Sequence, residues 1–265
     1  MKEYVSPEAG IYYRKNDFRP EKETLVFIHG LSGSSSAWLQ YEKKFENDYN
    51  ILTYDLRGHG KSKKYKNYED YELSYFVRDL EEILNLLQIK KFILISHSFG
   101  AMIALKMWRE HEQEITSAIF LAPAFNVTKQ FGYIIRMAIN CGISLAKLFP
   151  FKSLSGSHTD YSLFPNTPDY SIRRIYADIH NTCLRVYLFC LKHLYLFKGD
   201  HYLPAIKIPT LLIHGKMDKM VPVSCSVEKS KIIKDCEFVL LEKANHILIL
   251  NNFPEISAII EKFLY

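Results

Sequence analysis

The segment around Ser98 has the residue types and the spacing that an activated serine nucleophile requires. An apolar run at residues 92–95 is typical of a buried strand, and a helical pattern begins directly after it, at Ser98. Such a sharp strand-to-helix turn strains the backbone at its apex. Small residues are therefore needed two positions before and two positions after it, where Ser96 and Gly100 stand. The turn exposes the Ser98 hydroxyl and directs a helix N-terminus at any anion that forms there, which predicts a nucleophilic serine.

A nucleophilic serine needs a base to accept its proton and a third group to fix the tautomer of that base. Residues 210–213 form an apolar run followed by a loop that contains Asp218, and residues 237–241 form another, followed by a loop that contains His246. Either residue alone is also typical of a turn or a helix cap. Their order after Ser98, each just beyond a strand, is the order that a nucleophile elbow requires. We predict that His246 is the general base and that Asp218 orients it.

Acyl transfer at Ser98 also needs two hydrogen-bond donors for the negative charge that develops on the carbonyl oxygen. The backbone N–H of Phe99 lies at the predicted helix start and is one candidate. The loop of His29, Gly30 and Leu31, which follows an earlier strand, offers the second donor in the N–H of Leu31. Loss of one such donor typically costs about 3 kcal/mol of transition-state stabilisation. We expect His29 to brace this loop rather than to act as a base.

Short apolar runs that alternate with helical patterns predict the elements that position these residues. Strands are predicted at residues 24–28, 50–55, 92–95, 116–121, 209–214 and 237–241, and helices at 37–45, 71–88, 98–111 and 254–264. Residues 33–36 are expected to supply the turn and the N-cap of the first helix. Strands of this length separated by helices predict an α/β protein with a mostly parallel, doubly wound sheet.

Residues 123–205 interrupt this alternation. The segment has a helical pattern, holds 14 of the 37 aromatic residues, and contains turn-forming residues near 153–157 and 165–168. A helical insertion between two sheet strands is most simply a lid over the carboxyl ends of the strands, where open α/β sheets bind ligands. We therefore predict a core of residues 1–122 and 206–265 and a helical cap of residues 123–205.

The composition limits the class of partner. A chain of 265 residues with 48% apolar and 24% charged residues is typical of one globular domain. The net charge of +5 lies entirely within residues 123–205, which hold nine Lys and Arg against four Asp. Nucleic-acid-binding domains have a denser basic stripe and a higher isoelectric point, so we expect no nucleic-acid partner.

Three further features indicate a soluble, cytoplasmic protein. The five cysteines are scattered and lack CxxC spacing, which argues against a disulfide framework and a zinc site. The chain opens without the apolar segment of a signal peptide. The longest apolar stretch, residues 131–149, contains Arg136, Asn140 and Lys147, so no transmembrane segment is expected.

Two motifs and a group of histidines invite other interpretations. Asp55 follows a strand, as an aspartate nucleophile would. An enzyme with such a nucleophile needs the aspartate at the elbow, where this chain has Ser98. Residues 58–62 are similar to the end of a phosphate-binding loop, but the first glycine of that motif would have to stand at position 55, which is aspartate. The lid contains four histidines, none of which lies four residues from another as a metal-binding pair on a helix would. We interpret them as solvated or core side chains; they are His158, His180, His193 and His201. No metal site is predicted.

The chain resembles the α/β-hydrolase fold superfamily, and specifically its branch of capped serine esterases, monoacylglycerol lipases and C–C hydrolases. The matching residues span nearly the whole chain in family order and are His29-Gly30, Tyr54-Asp55-Leu56-Arg57-Gly58-His59-Gly60-Lys61-Ser62, the Ser98 elbow, His214-Gly215 with Asp218, and Ala244-Asn245-His246. The resemblance implies that the turn around Arg57 is structural and has no catalytic role. Two positions depart from the pattern, since Ser96 replaces the first glycine of the elbow and Ala101 a second glycine of many lipases.

The resemblance also implies a reaction, namely cleavage of a carboxylic ester through an acyl-enzyme on Ser98, with no metal or organic cofactor. The lid is the guide to the substrate, because residues 131–139 and 187–197 are strongly apolar. One hypothesis is that this surface lines an acyl pocket, so that the partner is a small ester with an apolar acyl part, medium-chain or monoacylglycerol-like. The alternative is ordinary packing of the lid on the core.

Other functions stay open at this point. Lid arginines such as Arg136, Arg173 or Arg174 could clamp a carboxylate, which would suit a C–C bond hydrolase or lyase acting on a small acid. A catalytically silent binding protein of the same fold is a second alternative, although an intact triad argues against it. The basic aromatic lid could also make weak contact with a membrane surface. The sequence contains no signal for the oligomeric state.

Overall fold

The computed structural model describes residues 1–149, 151 and 156–265, and an eight-stranded sheet lies at its centre. The strands are β1 (Lys2–Val5), β2 (Tyr12–Lys15), β3 (Thr24–Ile28), β4 (Asn50–Tyr54), β5 (Phe92–His97), β6 (Ile115–Leu121), β7 (Thr210–Gly215) and β8 (Cys236–Leu241). Their order in the sheet is β1-β2-β4-β3-β5-β6-β7-β8. The pairs from β4 to β8 are parallel, whereas β2 is antiparallel to both β1 and β4. The predicted α/β class with a mostly parallel, doubly wound sheet is confirmed.

The winding of the sheet reverses at β3. The chain passes from β3 to β4 on one side and then returns to β5 on the other side of β3. The loops that follow β3 and β5 therefore lie beside each other at the carboxyl ends of the strands. Such a switch point is where open α/β sheets bind ligands. These loops contain Leu31 and Ser98, so the topology brings two of the predicted site residues to one edge.

Helices cover both faces of the sheet. They are α1 (Leu39–Phe45), α2 (Leu73–Leu86), α3 (Gly100–Glu110), α4 (Tyr133–Leu148), α5 (Ile172–Thr182), α6 (Leu184–Leu196), α7 (Val223–Ser230), α8 (Leu248–Asn251) and α9 (Phe253–Leu264). Because alternate strand residues point to opposite faces, Val26 and Ile28 join a core with α2 and α3, while Leu25 and Phe27 join a core with α1 and α9. Full burial of each such side chain contributes roughly 1.5–3 kcal/mol.

The predicted core elements lie within two residues of the observed bounds, but β1, β2, α7 and α8 were not predicted. β1 is exposed along its whole length and β2 mixes tyrosines with basic residues, so neither has an apolar pattern. These strands form because backbone pairing, of β1 with β2 and of β2 with β4, needs no apolar side chains. The short helix α7 buries only Ser226, which leaves no periodic apolar signal either.

The turn at residues 33–36 differs from the prediction. Ser34 precedes a 3-10 turn at Ser35–Trp38, but its side chain makes no capping hydrogen bond. Ser35 instead donates from its backbone N–H and its hydroxyl to Asp55 Oδ1, at 2.7 and 2.6 Å. The serine cluster thus satisfies a buried carboxylate rather than a helix N-terminus.

A helical insertion separates β6 from β7, as predicted. It contains α4, α5 and α6, and α4 packs on α6 with Ile139 and Ile143 buried. Pro150 and residues 152–155, which include part of the turn expected at 153–157, lie outside the described residues. The lid bounds at 123 and 205 stay a prediction. Within the part of the chain that the structure describes, no helix is both long and apolar enough to cross a bilayer.

Candidate active site

Ser98 lies at the turn between β5 and α3, where its backbone φ of 52° falls in the left-handed region. This conformation is not helical, so α3 begins at Gly100, two residues later than predicted. A Cβ at Gly100 would lie 2.7 Å from the carbonyl oxygens of Ile28 and His29, so the helix can pack this closely on the loop after β3 only with glycine. The hydroxyl of Ser96 is buried and has no hydrogen-bond partner among the described residues, which fits a position that requires only a small side chain.

The structure brings Ser98, His246 and Asp218 into one hydrogen-bonded chain. His246 Nε2 lies 2.9 Å from Ser98 Oγ, and His246 Nδ1 lies 2.7 Å from Asp218 Oδ2. An ionised carboxylate only accepts hydrogen bonds, so Nδ1 of His246 must hold the proton that it donates to Asp218. Its Nε2 then presents a lone pair to the Ser98 hydroxyl. This is the arrangement in which an imidazole can remove a proton from a serine.

The Asp218 carboxylate is fixed by its own loop and by a second histidine. The backbone N–H groups of Met220 and Val221 donate to Oδ1, each at 2.8 Å, and His214 Nε2 lies 3.1 Å from Oδ2. Burial raises the pKa of Asp218, but the hydrogen bonds from His214 and His246 outweigh burial and hold the pKa well below its usual range. Asp218 is therefore ionised at neutral pH and oriented toward His246.

The loops that contain Asp218 and His246 approach each other closely because Gly215 has no side chain. A Cβ at Gly215 would lie 2.3 Å from the carbonyl oxygen of Ala244. The same carbonyl accepts a hydrogen bond from the N–H of Met217 at 2.9 Å. The parallel pairing of β7 and β8 thus continues into a direct link between the two loops.

The loop after β3 packs against the elbow. A Cβ at Gly30 would lie 3.3 Å from Ser98 Cβ, and Leu31 lines the same cavity as Ser98. Across residues 1–149, 151 and 156–265, neither the Leu31 nor the Phe99 amide donates a hydrogen bond to another protein group. Both are therefore free to bind an oxyanion, and Phe99 directly precedes the first turn of α3.

His29 braces this loop as expected. Its Nε2 accepts a hydrogen bond from the N–H of Leu56 at 3.0 Å, so its Nδ1 holds the proton and donates to the carbonyl of Gly30 at 2.8 Å. Burial is the main cause that lowers the pKa of His29 to about 4. The ring is neutral at neutral pH, and both nitrogens are occupied.

A cavity of about 160 Å³ opens beside Ser98 and His246. Most of its wall is apolar and comes from the lid and from the loops after β3, β6 and β8; the lid contributes Phe131, Tyr187, Leu191 and Leu194. One polar patch interrupts this wall: Arg174 Nη1 lies 2.9 Å from Asp178 Oδ2, and the Tyr161 hydroxyl donates to Asp178 Oδ1 at 3.0 Å. The wall of the cavity is therefore mostly apolar, with one polar patch.

Of the three arginines considered as carboxylate clamps, the structure places only Arg174 in the cavity wall. Its guanidinium already donates to Asp178 and to the carbonyl of Asp169. Arg136 donates to the carbonyl of Thr128 and lies over the ring of Tyr195. The described part of the cavity wall contains neither Arg136 nor Arg173.

Two residues in contact with the His246 loop were not found by sequence analysis. His97 donates from Nε2 to the carbonyl of His246 at 2.9 Å, and burial lowers the pKa of His97 to about 3. Sequence analysis could have found His97, because it directly precedes the predicted nucleophile in the chain. Asp169, in the lid, accepts a hydrogen bond from the N–H of His246 at 2.8 Å. Nothing in the sequence pattern distinguishes this aspartate from a turn former.

The described residues contain no group of three or more His, Cys, Asp or Glu side chains arranged to bind a metal ion. The lid histidine His158 has a different partner, because its Nε2 lies 2.7 Å from Oδ2 of the buried Asp55. The interpretation of His158 as a solvated or core side chain therefore missed a specific contact between lid and core. Arg57 is structural, as expected: its guanidinium forms a buried pair with Asp79 at 2.5 Å.

Comparisons with known proteins agree with this architecture. A family model described as alpha/beta hydrolase fold matches residues 23–253. The AB hydrolase superfamily protein YisY of Bacillus subtilis is 28% identical over 258 residues, which cover 90% of each chain. The probable lysophospholipase BODYGUARD 4 of Arabidopsis thaliana is 31% identical over 115 residues, and the match spans 42% of this chain and 27% of that protein. An esterase from Exiguobacterium antarcticum superposes over 100% of both chains with a TM-score of 0.75 at 18% identity, a likeness of fold.

Proposed function

The chain belongs to the alpha/beta hydrolase fold family, and we propose that it is a serine hydrolase that cleaves carboxylic esters through Ser98, His246 and Asp218. The observation that supports this proposal is the hydrogen-bonded chain from Asp218 through His246 to the Ser98 hydroxyl. The relatives named as a probable lysophospholipase and an esterase act on ester bonds, in agreement with this chemistry.

The proposed reaction begins when Nε2 of His246 accepts the Ser98 proton while Oγ attacks the ester carbonyl. The negative charge that forms on the carbonyl oxygen is held by the amides of Leu31 and Phe99. The tetrahedral intermediate then expels the alcohol, which takes the proton from His246, and leaves an acyl group on Ser98. A water molecule deprotonated by His246 attacks this acyl-enzyme, and collapse of the second intermediate releases the acid and restores Ser98.

The electrostatics favour this cycle because the imidazolium that forms twice in it lies beside an ionised carboxylate. The low pKa of Asp218 means that the carboxylate stays charged when His246 takes up its proton. Their separation of 2.7 Å also holds the imidazole in the tautomer that presents Nε2 to Ser98.

Hydrolysis of p-nitrophenyl butyrate by two serine variants tests the proposal. Ser98→Ala should lower kcat by at least about 10³-fold, because no other group in the chain of hydrogen bonds can form the acyl-enzyme. Ser96→Ala is the matched control: it removes a buried hydroxyl without a partner two residues away, and kcat should stay close to the wild-type value. Equal activity of the Ser98→Ala variant and the wild type would rule the proposal out.

The apolar cavity wall favours substrates with an apolar acyl chain, medium-chain or monoacylglycerol-like. A series of p-nitrophenyl esters of increasing acyl length should show a rise in kcat/KM above acetate. Substitution of Leu191, a cavity residue on α6, by alanine should move the optimum to a longer chain. One methylene in an apolar pocket is worth about 1–3 kcal/mol. Indifference to acyl length, or a preference for acetate, would exclude the lipid-like substrate.

A C–C bond hydrolase acting on a small acid is the second candidate, because Arg174 lines the cavity. Its charge is balanced by Asp178 at 2.9 Å, which weakens the case for a carboxylate clamp. Turnover of a diketone without turnover of simple esters would favour this candidate. A catalytically silent binding protein would turn over neither class.

Weak contact with a membrane surface forms a further part of the proposal. Helix α4 exposes apolar side chains on its outer side, among them Tyr133, Ile134, Leu145 and Leu148. Its only charged residues are Arg136 and Lys147, so an anionic lipid surface is the matching partner. Co-sedimentation with anionic phospholipid vesicles at low salt should decrease in the Leu145→Glu variant. Absence of wild-type co-sedimentation under these conditions would exclude the contact.

A further inference from the structure

Asp169 is a lid residue whose two carboxylate oxygens bind the two loops of the proposed triad. Oδ1 accepts the N–H of His246 and Oδ2 accepts the N–H of Lys219, each at 2.8 Å. The residue is 4% exposed. We infer that Asp169 is a positioning residue, which holds the His246 loop and the Asp218 loop at the separation that proton transfer requires. This inference rests on the proposed function, because it concerns the same site.

The geometry explains why one carboxylate can do this. His246 and Asp218 lie on loops that follow different strands, and their side-chain hydrogen bond and the hydrogen bond from the N–H of Met217 to the carbonyl of Ala244 also join these loops. Asp169 adds a link on the lid side that includes the backbone of His246 itself and of the residue after Asp218. Hydrogen bonds to an ionised acceptor are about twice as strong as neutral ones. Arg174 holds Asp169 from behind, since its Nη2 donates to the Asp169 carbonyl at 2.9 Å.

The residues around Asp169 extend the same contact, and we call residues 167–170 the strap. The carbonyl of Thr167 accepts hydrogen bonds from the side-chain amides of Asn245 and Asn251, both at 2.9 Å. The hydroxyl of Tyr170 donates to the carbonyl of Lys219 at 3.0 Å. The strap therefore forms several hydrogen bonds with the His246 loop and with the Asp218 loop. A lid that opened at the strap would release both partners of the nucleophile, so the strap must stay closed during turnover.

A merely structural role for Asp169 predicts a different outcome. Asp160 provides the comparison, because it is also a lid aspartate, but within the described part of the chain its carboxylate binds only the N–H and the hydroxyl of Ser162, two residues away. If lid aspartates matter only for lid stability, substitution of either one should alter unfolding and leave the chemical step unchanged. If Asp169 positions the triad, only its substitution should change the reactivity of Ser98.

The test compares Asp169→Asn with Asp160→Asn. Asparagine has the same shape, but its amide nitrogen cannot accept a hydrogen bond, so one of the two loops loses its partner. We expect Asp169→Asn to slow both kcat and the rate of fluorophosphonate labelling by roughly 10- to 100-fold, because small displacements of reacting groups have effects of this size. KM should change little, since Asp169 does not line the described cavity. Asp160→Asn should have the kcat, the labelling rate and the KM of the wild type.

A spectroscopic readout separates this inference from the proposed function. The proton shared by His246 Nδ1 and Asp218 should give a low-field proton NMR resonance that the Asp218→Asn variant lacks. In Asp169→Asn this resonance should broaden or shift, and in Asp160→Asn it should not. If the wild type does not react with fluorophosphonate, the proposed function is excluded. The resonance of the proton between His246 Nδ1 and Asp218 then still shows whether Asp169 positions His246.

Two results would overturn the inference. One is a folded Asp169→Asn variant with wild-type kcat, labelling rate and resonance. The other comes from a second variant, which is used if Asp169→Asn does not fold. Tyr170 is 60% exposed, and Tyr170→Phe removes a single hydrogen bond of the strap. Slower labelling of Tyr170→Phe in the same direction supports the role of the strap, and wild-type labelling of Tyr170→Phe contradicts it.

Discussion

Among the described residues, two clusters of one serine, one histidine and one aspartate border the lid, and their hydrogen bonds are connected differently. In both, an imidazole nitrogen lies 2.7 Å from a buried aspartate that follows a sheet strand: His246 on Asp218, and His158 on Asp55. In the first cluster the other imidazole nitrogen faces Ser98 at 2.9 Å. In the second cluster Ser35 donates its hydroxyl to Asp55 at 2.6 Å and has no link to His158.

This comparison teaches that residue content alone does not decide what such a cluster can do, because the serine must also reach the histidine. The serine of the first cluster can pass its proton to a histidine, while the serine of the second already donates to the carboxylate. The second cluster joins the lid, through His158, to the core, through Asp55 and Ser35, and we call it the latch. We expect substitutions in the triad to lower activity and equivalent substitutions in the latch to lower stability.

The largest contrast is expected between the two histidines. His246→Ala should lower kcat by roughly 10⁴- to 10⁶-fold, since the general base is lost. His158→Ala should leave kcat close to the wild-type value, because His158 contacts the lid–core boundary and not Ser98. Steady-state ester hydrolysis by the two variants measures this. Comparable losses of kcat in both would contradict the separation of triad and latch.

The two aspartates should repeat this contrast. Asp218→Asn should lower kcat by about 10⁴-fold, because an asparagine amide favours the wrong tautomer of the histidine. Asp55→Asn should lower the free energy of unfolding by roughly 1.5–3 kcal/mol through its weakened bonds to Ser35 and His158. Denaturant titration and kinetics on both variants distinguish the two effects. A large kcat loss in Asp55→Asn with normal stability would show that the latch takes part in the chemistry.

Two glycines offer a matched pair of backbone tests. A Cβ at Gly100 would meet backbone oxygens at 2.7 Å beside the elbow, and a Cβ at Gly60, which has φ of +48°, would lie 2.2 Å from Asp55 Oδ2. Each alanine should destabilise the fold by roughly 1–3 kcal/mol. Only Gly100→Ala should also lower kcat, by about 10²-fold, since it displaces the elbow. Gly132→Ala, with open space around the glycine, is the neutral control.

The smallest contrast lies in the pH ranges over which two residues contribute to stability: His97, which contacts the His246 loop, and Asp55 of the latch. Burial is the main cause that lowers the pKa of His97 to about 3, so the contribution of His97 to stability is full above about 6.5 and falls as the pH drops toward 3. Burial raises the pKa of Asp55, but the hydrogen bond from His158 holds it at about 2. The Asp55 contribution is therefore full above about 3.9 and is lost only as the pH falls toward 2.

The thermal midpoint measured between pH 7 and pH 3 checks these windows. Stability should fall with decreasing pH, with a slope of up to about 1.4 kcal/mol per pH unit for each group that titrates. His97→Gln should flatten the slope between pH 6 and 4, whereas Asp55→Asn should leave the slope in that range unchanged. A slope that His97→Gln does not alter would show that the elbow histidine is not the group that titrates.

The sequence alone was sufficient for six of the eight strands and for the triad proposal because both depend on local patterns. Ser98, Asp218 and His246 each follow a run of strand residues, and parallel strands bring their carboxyl ends to one edge. The proposal that the loop of Leu31 binds the oxyanion followed from the same rule. The helical insertion was visible because an aromatic, helical segment replaced the alternation of strand and helix.

The contacts between lid and core could not be predicted because they depend on how loops meet in space. Asp169 and His158 lie in irregular lid segments whose composition indicates only turns. Each finds its partner more than seventy residues away in the chain, at His246 and at Asp55. The strands β1 and β2 escaped prediction because neither has an apolar pattern: β1 is exposed, and β2 mixes tyrosines with basic residues.

The most direct test of the central claim is to locate the adduct that a fluorophosphonate forms with the wild-type protein, by mass spectrometry of its peptides. The account predicts one adduct, on Ser98, that does not form in the His246→Ala variant and that an ester substrate slows by competition. Absence of an adduct, or an adduct on Ser35 or another hydroxyl in place of Ser98, would contradict it.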